Sequence, residues 1–452
     1  MKCALLMVGV AALLNVRAQD AGELRAALAE RVDKAAKGAG IVAGTITPNG
    51  RDVFVYGCAT RSCDQPLRAD TIFEIGSITK VFTGLLLADM VERGEVNMED
   101  PVAKYLPDTF TVPSRNGRQI ALLDLATHFS GLPRLPGNLS PADAANPYAD
   151  YGASKLYDFL SRYQLARDPG EQHEYSNLGT GLLAHALSLR AGMPYEELVR
   201  KRILEPLKMT ASSITLTEAQ RRNAATGHSG DMKPTVMWDF DVLAGAGAIR
   251  STAGDMLKFA EAQLGISDTP LKASIARMQS IRRHTSAPDL DQMVGWLVLK
   301  KYGTEILFHD GSTGGFRSAI ALDRATKRGV VVLANAATDV TDLALHALEP
   351  RYALAKVAPS RKEVPVSEKV LDMYTGEYRF APSFAMTISR KENRLVVQAT
   401  NQPPFEMFAE SDDKFFLKTM DAQITFVKDE PGAVSGLILH QMGKDQKAEK
   451  VR

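Results

Sequence analysis

At 452 residues the chain can bury a large core and form two or more domains. A formal net charge of +1 leaves no nucleic-acid footprint. The composition is that of an ordinary globular protein, without low-complexity tracts or a short-period repeat.

Lys2, the apolar run Ala4 to Leu14 and the small-residue stretch Val16-Arg17-Ala18 read as an export signal over residues 1–18, cleaved near Ala18. The run is too short to span a bilayer comfortably, and no later stretch is apolar and long enough, so no stable membrane anchor is expected. Cys3 precedes its apolar run and does not read as a lipid-attachment site. Cleavage would remove Lys2 and Arg17 and no acid, taking the formal charge from +1 to −1. Cys58 and Cys63 then remain, on either side of Ala59-Thr60-Arg61-Ser62. Export permits a disulfide, and a cross-hairpin bridge is expected. A metal site is not, because no further ligand lies nearby and no His-Glu-x-x-His occurs.

Residues 20–37 read as an amphipathic helix with Leu24, Leu28 and Val32 on one face. Two β-like runs follow, 41–46 and 53–57, with the hairpin signal Asn49-Gly50 between them. The run Val81 to Val91 is apolar on most sides, which predicts a buried helix. Short helices are expected at 121–128, 154–163, 178–190 and 195–204, with a loop over 134–152. Gly245 to Ala248 reads as a glycine-rich strand leading to the cap Ser251-Thr252 and a helix from Asp255. From Val294 the pattern is β, through 296–299, 305–308, 316–322 and 330–335, and a helix over 340–348 closes this part. Strands at both ends with helices between predict an α/β sandwich: an antiparallel sheet flanked by helices, with a helical subdomain, over residues 22–356. Residues 357–367 read as a linker. Residues 368–452 carry short β runs at 386–388, 395–397, 415–417, 424–427 and 437–439, which predicts a small all-β barrel.

Three short motifs carry the chemistry. The first is Ser77-Ile78-Thr79-Lys80 at the mouth of the apolar helix. At this spacing the two side chains lie one turn apart on one face, so the amine can activate the hydroxyl. The backbone N–H of Ser77 can also face a developing oxyanion. A helix cap without chemistry gives the same pattern. Ser411-Asp412-Asp413-Lys414 repeats the spacing among polar residues and reads as a solvated turn. The second motif is Tyr175-Ser176-Asn177. A phenol beside a lysine ammonium loses its proton more easily, so Tyr175 is a candidate base and acid, while Asn177 can bond a substrate amide and Lys80. A plain helix-entry turn with Asn177 as cap is the structural alternative. The third motif is His309-Asp310-Gly311-Ser312-Thr313-Gly314-Gly315. Gly311 lets substrate approach the backbone, Ser312 offers an N–H to an oxyanion, and His309 offers positive or hydrogen-bonding character to a carboxylate. A hairpin loop with an exposed histidine is the alternative.

Together the motifs resemble the serine β-lactamase and penicillin-binding-protein superfamily over residues 22–350, nearest to the class C β-lactamase group with its D,D-peptidase and esterase relatives. The stretches Leu125 to Pro133 and Val332 to Asn335 share the resemblance. It implies Ser77 as nucleophile, Lys80 and Tyr175 as base and acid, Asn177, His309 and Gly311 at the substrate, the N–H groups of Ser77 and Ser312 as oxyanion hole, and no cofactor or metal. Two departures stand out. His309 replaces the lysine usual in class C β-lactamases, in a His-x-Gly form familiar among D,D-carboxypeptidases and D-amino-acid peptidases. The glutamine many class C enzymes carry after Leu-Pro is not found near Arg134 and Leu135. The C-terminal module resembles the lipocalin-like barrel of some of these hydrolases, and it could mediate homo-oligomer formation. The implied activity is hydrolysis of a β-lactam amide by a periplasmic or secreted enzyme. The alternatives are a D,D-carboxypeptidase or endopeptidase, an esterase or D-amino-acid amidase, and a non-catalytic penicillin-binding protein.

Overall fold

The computed structural model describes residues 22–34, 36, 39–355 and 361–451, apart from 382–383, 401, 403, 419–421, 430–431 and 442–443. The leader expected at 1–18 and the first part of the linker expected at 357–367 lie outside the described residues.

Eight antiparallel strands form the main sheet, in the order Gly50–Gly57, Gly40–Thr47, Arg328–Ala334, Arg317–Asp323, Thr304–Ser312, Leu297–Lys301, Leu290–Met293, Arg282–His284. The sheet is therefore joined from both ends of the domain, with Ile41 opposite Ala334 and Ile46 opposite Gly329. The Gly40–Thr47 strand is apolar on both faces because both are covered. Val42 and Ile46 face the large helical core, and Ile41 and Ala43 face Leu24, Leu28 and Val32 of the helix at 22–34 and Leu343 of the helix Thr341–Leu348. The hairpin turn occupies Pro48 and Asn49, one residue earlier than the Asn-Gly signal suggested, and Gly50 pairs with Thr47. Cys58 and Cys63 are joined by a disulfide with Cα atoms 5.1 Å apart. It closes an irregular loop after the hairpin rather than bridging its strands.

The helix Thr79–Glu92 runs through the helical layer, and every residue from Thr79 to Met90 is buried. A helix so placed must satisfy its polar side chains internally. Thr83 Oγ1 meets Tyr195 Oη at 2.7 Å and donates to the Gly245 carbonyl at 2.8 Å. Asp89 accepts from Arg93 at 2.9 Å. Gly245 lies not in a strand but in the 3-10 turn Ala244–Ala246, and the strand is the short Arg250–Ser251 beside Phe73–Glu74.

The C-terminal part is a closed eight-stranded barrel, from Gly376–Ala381 to Lys444–Val451. Leu395, Phe415, Ile424, Phe426 and Leu437 fill its interior, and Tyr374 stacks on Phe426 at 4.0 Å. The second Ser-x-x-Lys is the turn between Phe405–Ala409 and Lys414–Leu417, where Ser411 Oγ accepts from its own Lys414 N–H at 3.1 Å. The barrel meets the main domain at Lys418. Its carbonyl accepts from Gly230 N–H at 2.9 Å, and its amine lies 3.6 Å from Asp231 and 2.8 Å from Glu363.

Candidate active site

Ser77 sits in the 3-10 turn Gly76–Ile78 that leads into the buried helix, and its side chain is half-buried. One turn on, Lys80 is 1% exposed, with Nζ 2.9 Å from Ser77 Oγ. The amine also donates to the carbonyl of Ala246 at 2.7 Å. Burial pushes Lys80 well below the ordinary lysine range, the Arg134 charge acts in the same direction, and Asp310 opposes them. The amine is thus held between the Ser77 hydroxyl and the Ala246 carbonyl, and its burial favours the uncharged form.

Tyr175 also reaches Ser77, with a hydrogen bond between their hydroxyls. Its ring lies 4.9 Å from Lys80 Nζ and 5.1 Å from the Arg134 guanidinium. Burial nevertheless raises the Tyr175 phenol above its ordinary range, against the Ser77 hydrogen bond and Arg134, which lower it. The phenolate expected from the sequence is thus disfavoured, because desolvation outweighs the Ser77 hydrogen bond and the Arg134 charge.

The second motif is a helix entry, as its structural alternative held, but Ser176 is the cap. Its Oγ accepts from Gly179 N–H at 2.8 Å and donates to the Pro133 carbonyl at 2.7 Å. Asn177 opens the helix Asn177–Ala191, and its N–H donates to the Arg134 carbonyl at 3.0 Å. Among the described residues its Oδ1 is buried without a partner, and it does not hold Lys80, whose bonds go to Ser77 and Ala246. His128 sets the motif's backbone. Its buried Nδ1 accepts from Ser176 N–H at 3.2 Å, and its carbonyl accepts from Glu174 N–H at 2.7 Å.

The third motif is the end of the Thr304–Ser312 strand, and it lies directly against the nucleophile turn. A Cβ on Gly311 would stand 2.0 Å from the Ile75 carbonyl, and one on Gly76 (φ +50°) 2.6 Å from Ser312 N. Only glycine allows this approach, and it brings the Ser312 amide beside the turn that carries Ser77. His309 is 3% exposed, and its Nδ1–H donates to the Asp310 carbonyl at 2.7 Å. Burial pushes its imidazole down to about 4, with Lys80 acting the same way and Asp310 against it, so the positive character expected of it is absent at neutral pH.

Several residues that sequence reasoning gave no role complete the site. Glu74, three positions before Ser77, is buried. One of its oxygens accepts from Thr313 Oγ1 and the other from Trp238 N–H, both at 2.7 Å. It therefore ties the nucleophile segment to the third motif and to a wall made by Trp238, Phe240 and Tyr148. Tyr148 stacks on Phe240 at 4.9 Å and meets Trp238 edge-on at 5.4 Å. Its place inside the first motif's own stretch was the available signal for Glu74. Ala246 had none, since it acts through its carbonyl alone.

A serine hydroxyl in hydrogen-bond contact with a buried amine and a buried phenol, on a turn that packs against the Ser312 amide, has the makings of an acyl-transfer nucleophile. Residues 24–354 match the Beta-lactamase family model. The chain belongs to the beta-lactamase family. Residues 360–450 match a domain of unknown function, DUF3471. A beta-lactamase of Escherichia coli K12 is 29% identical over 316 residues, 62% of this chain and 80% of that protein. The D-alanyl-D-alanine-carboxypeptidase/endopeptidase AmpH of the same strain is 30% identical over 270 residues, 56% of this chain and 68% of its own. Penicillin-binding protein 4* of Bacillus subtilis is 24% identical over 429 residues, 88% of this chain and 91% of its own. Among solved structures, a class C beta lactamase from Rhodobacter sphaeroides has a TM-score of 0.61 at 25% identity, covering 74% of this chain and 98% of its own. A D-alanine carboxypeptidase AmpC from Burkholderia cenocepacia has a TM-score of 0.62 at 25% identity, covering 73% and 99%. This beta-lactamase-family chain is a serine hydrolase.

Proposed function

We propose that this beta-lactamase-family protein hydrolyses β-lactam amides through an acyl-enzyme on Ser77. The observation that carries the reading is the Ser77 hydroxyl set 2.9 Å from a buried lysine amine. The Ser77 proton passes to Lys80 as Oγ bonds the carbonyl carbon. The oxyanion is met by the N–H groups of Ser77 and Ser312. On collapse the C–N bond breaks, and the proton goes from Lys80, through the Tyr175 hydroxyl, to the leaving nitrogen. Asn177 and the Gly311–Ser312 backbone hold the acyl group and strand-like substrate. Water then attacks the ester, returning the proton to Ser77. A second reading, a D,D-carboxypeptidase acting on D-Ala-terminated peptides, is favoured by the neutral His309 in the place of a lysine. Its relatives include proteins named for both activities.

The proposal includes export with cleavage near Ala18, a periplasmic or secreted site of action, a hydrolase domain over 22–356 and a barrel domain over 368–452 that can mediate self-association. Intact-mass spectrometry during reaction with excess benzylpenicillin tests the function. Consumption with a fleeting adduct supports the β-lactamase reading, and a long-lived adduct on Ser77 supports the peptidase reading. No adduct and no consumption would overturn both in favour of an esterase or amidase. Ser77→Ala is expected to abolish acylation with unchanged circular dichroism; retained turnover would remove Ser77 as nucleophile.

A further inference from the structure

A carboxylate beside the reacting carbonyl needs a donor, and the cations of this site are mostly committed. His309 is neutral with its Nδ1–H on the Asp310 carbonyl, which leaves Nε2 as an acceptor. Arg317, in the same turn, gives Nη1 to the carbonyls of Thr313 and Phe316, each at 2.9 Å. Arg283 is paired with Asp124 at 2.7 Å. Lys80 is spent on Ser77 and Ala246.

Arg134 differs from all of these. Its backbone is clamped, its carbonyl accepting from the N–H groups of Asn177 at 3.0 Å and Leu178 at 3.3 Å. Its side chain is exposed, with the guanidinium 5.1 Å from the centre of the Tyr175 ring. Among the described residues no carboxylate or carbonyl accepts a hydrogen bond from it. A charged fork with five N–H donors therefore stands one aromatic ring away from Ser77. The Tyr175 face holds the cation in place without using its N–H groups. A planar carboxylate is the ligand that fits such a fork in two-point fashion.

We infer that Arg134 is the substrate-binding residue that takes a carboxylate of the substrate, a role the sequence suggested for His309. The inference rests on Ser77 acylation as proposed above. The carboxylate can belong to the acyl half or to the leaving half of the substrate, and the test separates the two.

Three phenyl esters serve as probes of wild type, Arg134→Gln and Arg134→Lys: a neutral pentanoate, a glutarate with its carboxylate on the acyl half, and a pentanoate of 3-hydroxybenzoic acid with its carboxylate on the leaving half. Arg134→Gln is expected to lower kcat/KM for one carboxylated ester about tenfold or more beyond whatever it does to the neutral ester, with the extra loss chiefly in KM. Arg134→Lys should recover part of the loss, because it keeps the charge and loses the fork. Equal losses on all three esters would overturn the inference and make Arg134 a support for Tyr175. No loss on any would overturn it outright, as would a wild type that cleaves the neutral ester better than both carboxylated ones. The underlying reading fails separately: esters cleaved at Ser77 while benzylpenicillin gives no adduct would remove the β-lactam function and leave the Arg134 result standing. A wild type that cleaves no ester would overturn the inference, and would overturn the underlying reading as well only if benzylpenicillin also gave neither adduct nor consumption.

Discussion

Lys80 and Tyr175 both meet the Ser77 hydroxyl, and burial acts on them in opposite senses, lowering the lysine and raising the phenol. On the reaction proposed above, these directions favour the amine as the base and Tyr175 as a neutral relay. Acylation is expected to rise with pH as the Lys80 ammonium loses its proton and then to level off. Lys80→Arg, which cannot lose its proton, should lower the acylation rate about a thousandfold and abolish that rise, as stopped-flow rates across pH would show. Glu74 titrates in the opposite way. Burial holds its carboxyl at about 7 instead of 4.5, outweighing the Thr313 and Trp238 hydrogen bonds and Arg250. The folded chain thus keeps a proton that the unfolded chain releases, and the stabilisation this gives is complete below pH 4.5 and lost as the pH rises to 7. The loss is about 3 kcal/mol, and Glu74→Gln should flatten it in urea titrations run on either side of that window.

At the scale of elements, the site is a contact between a helix entry and a strand end. Gly311→Ala would force a methyl group toward the Ile75 carbonyl, 2.0 Å from an ideal Cβ. The strand and the Ser77 turn would then separate, with an expected cost of about 2–4 kcal/mol in melting experiments and a larger fall in kcat than in KM. Much of this was legible in the sequence. The helix at Thr79–Glu92 is apolar all round because it is buried all round, and Gly311 and Ser312 could be placed because glycine at a strand end has few other uses. What failed to show has physical reasons. The small residues of Ala244–Ala246 alternate like a strand, but their path is set by packing on the Asn177–Ala191 helix. The barrel strand Lys444–Val451 is mostly charged, so its period is hidden, although Ala448 is buried. The neutrality of His309 and Tyr175 depends on burial, which residue type alone does not reveal.

At the scale of the whole molecule, barrel and hydrolase domain meet through Lys418, whose amine faces Asp231 and Glu363. Lys418→Glu would set three carboxylates together. A larger radius of gyration by small-angle scattering is expected, recovered in high salt, with turnover of a neutral ester unchanged. A lost turnover would mean that the barrel supports the cleft directly. The sheet has a further consequence, in time rather than in space. Ile41 finds its partner Ala334 roughly 290 residues later in the chain. The first hairpin and the mostly apolar helix behind Ser77 thus emerge from the ribosome with nothing to cover them, and the sheet cannot close until almost the whole domain has been made. The sheet of such a domain closes late, and until then its apolar segments are open to non-native contacts.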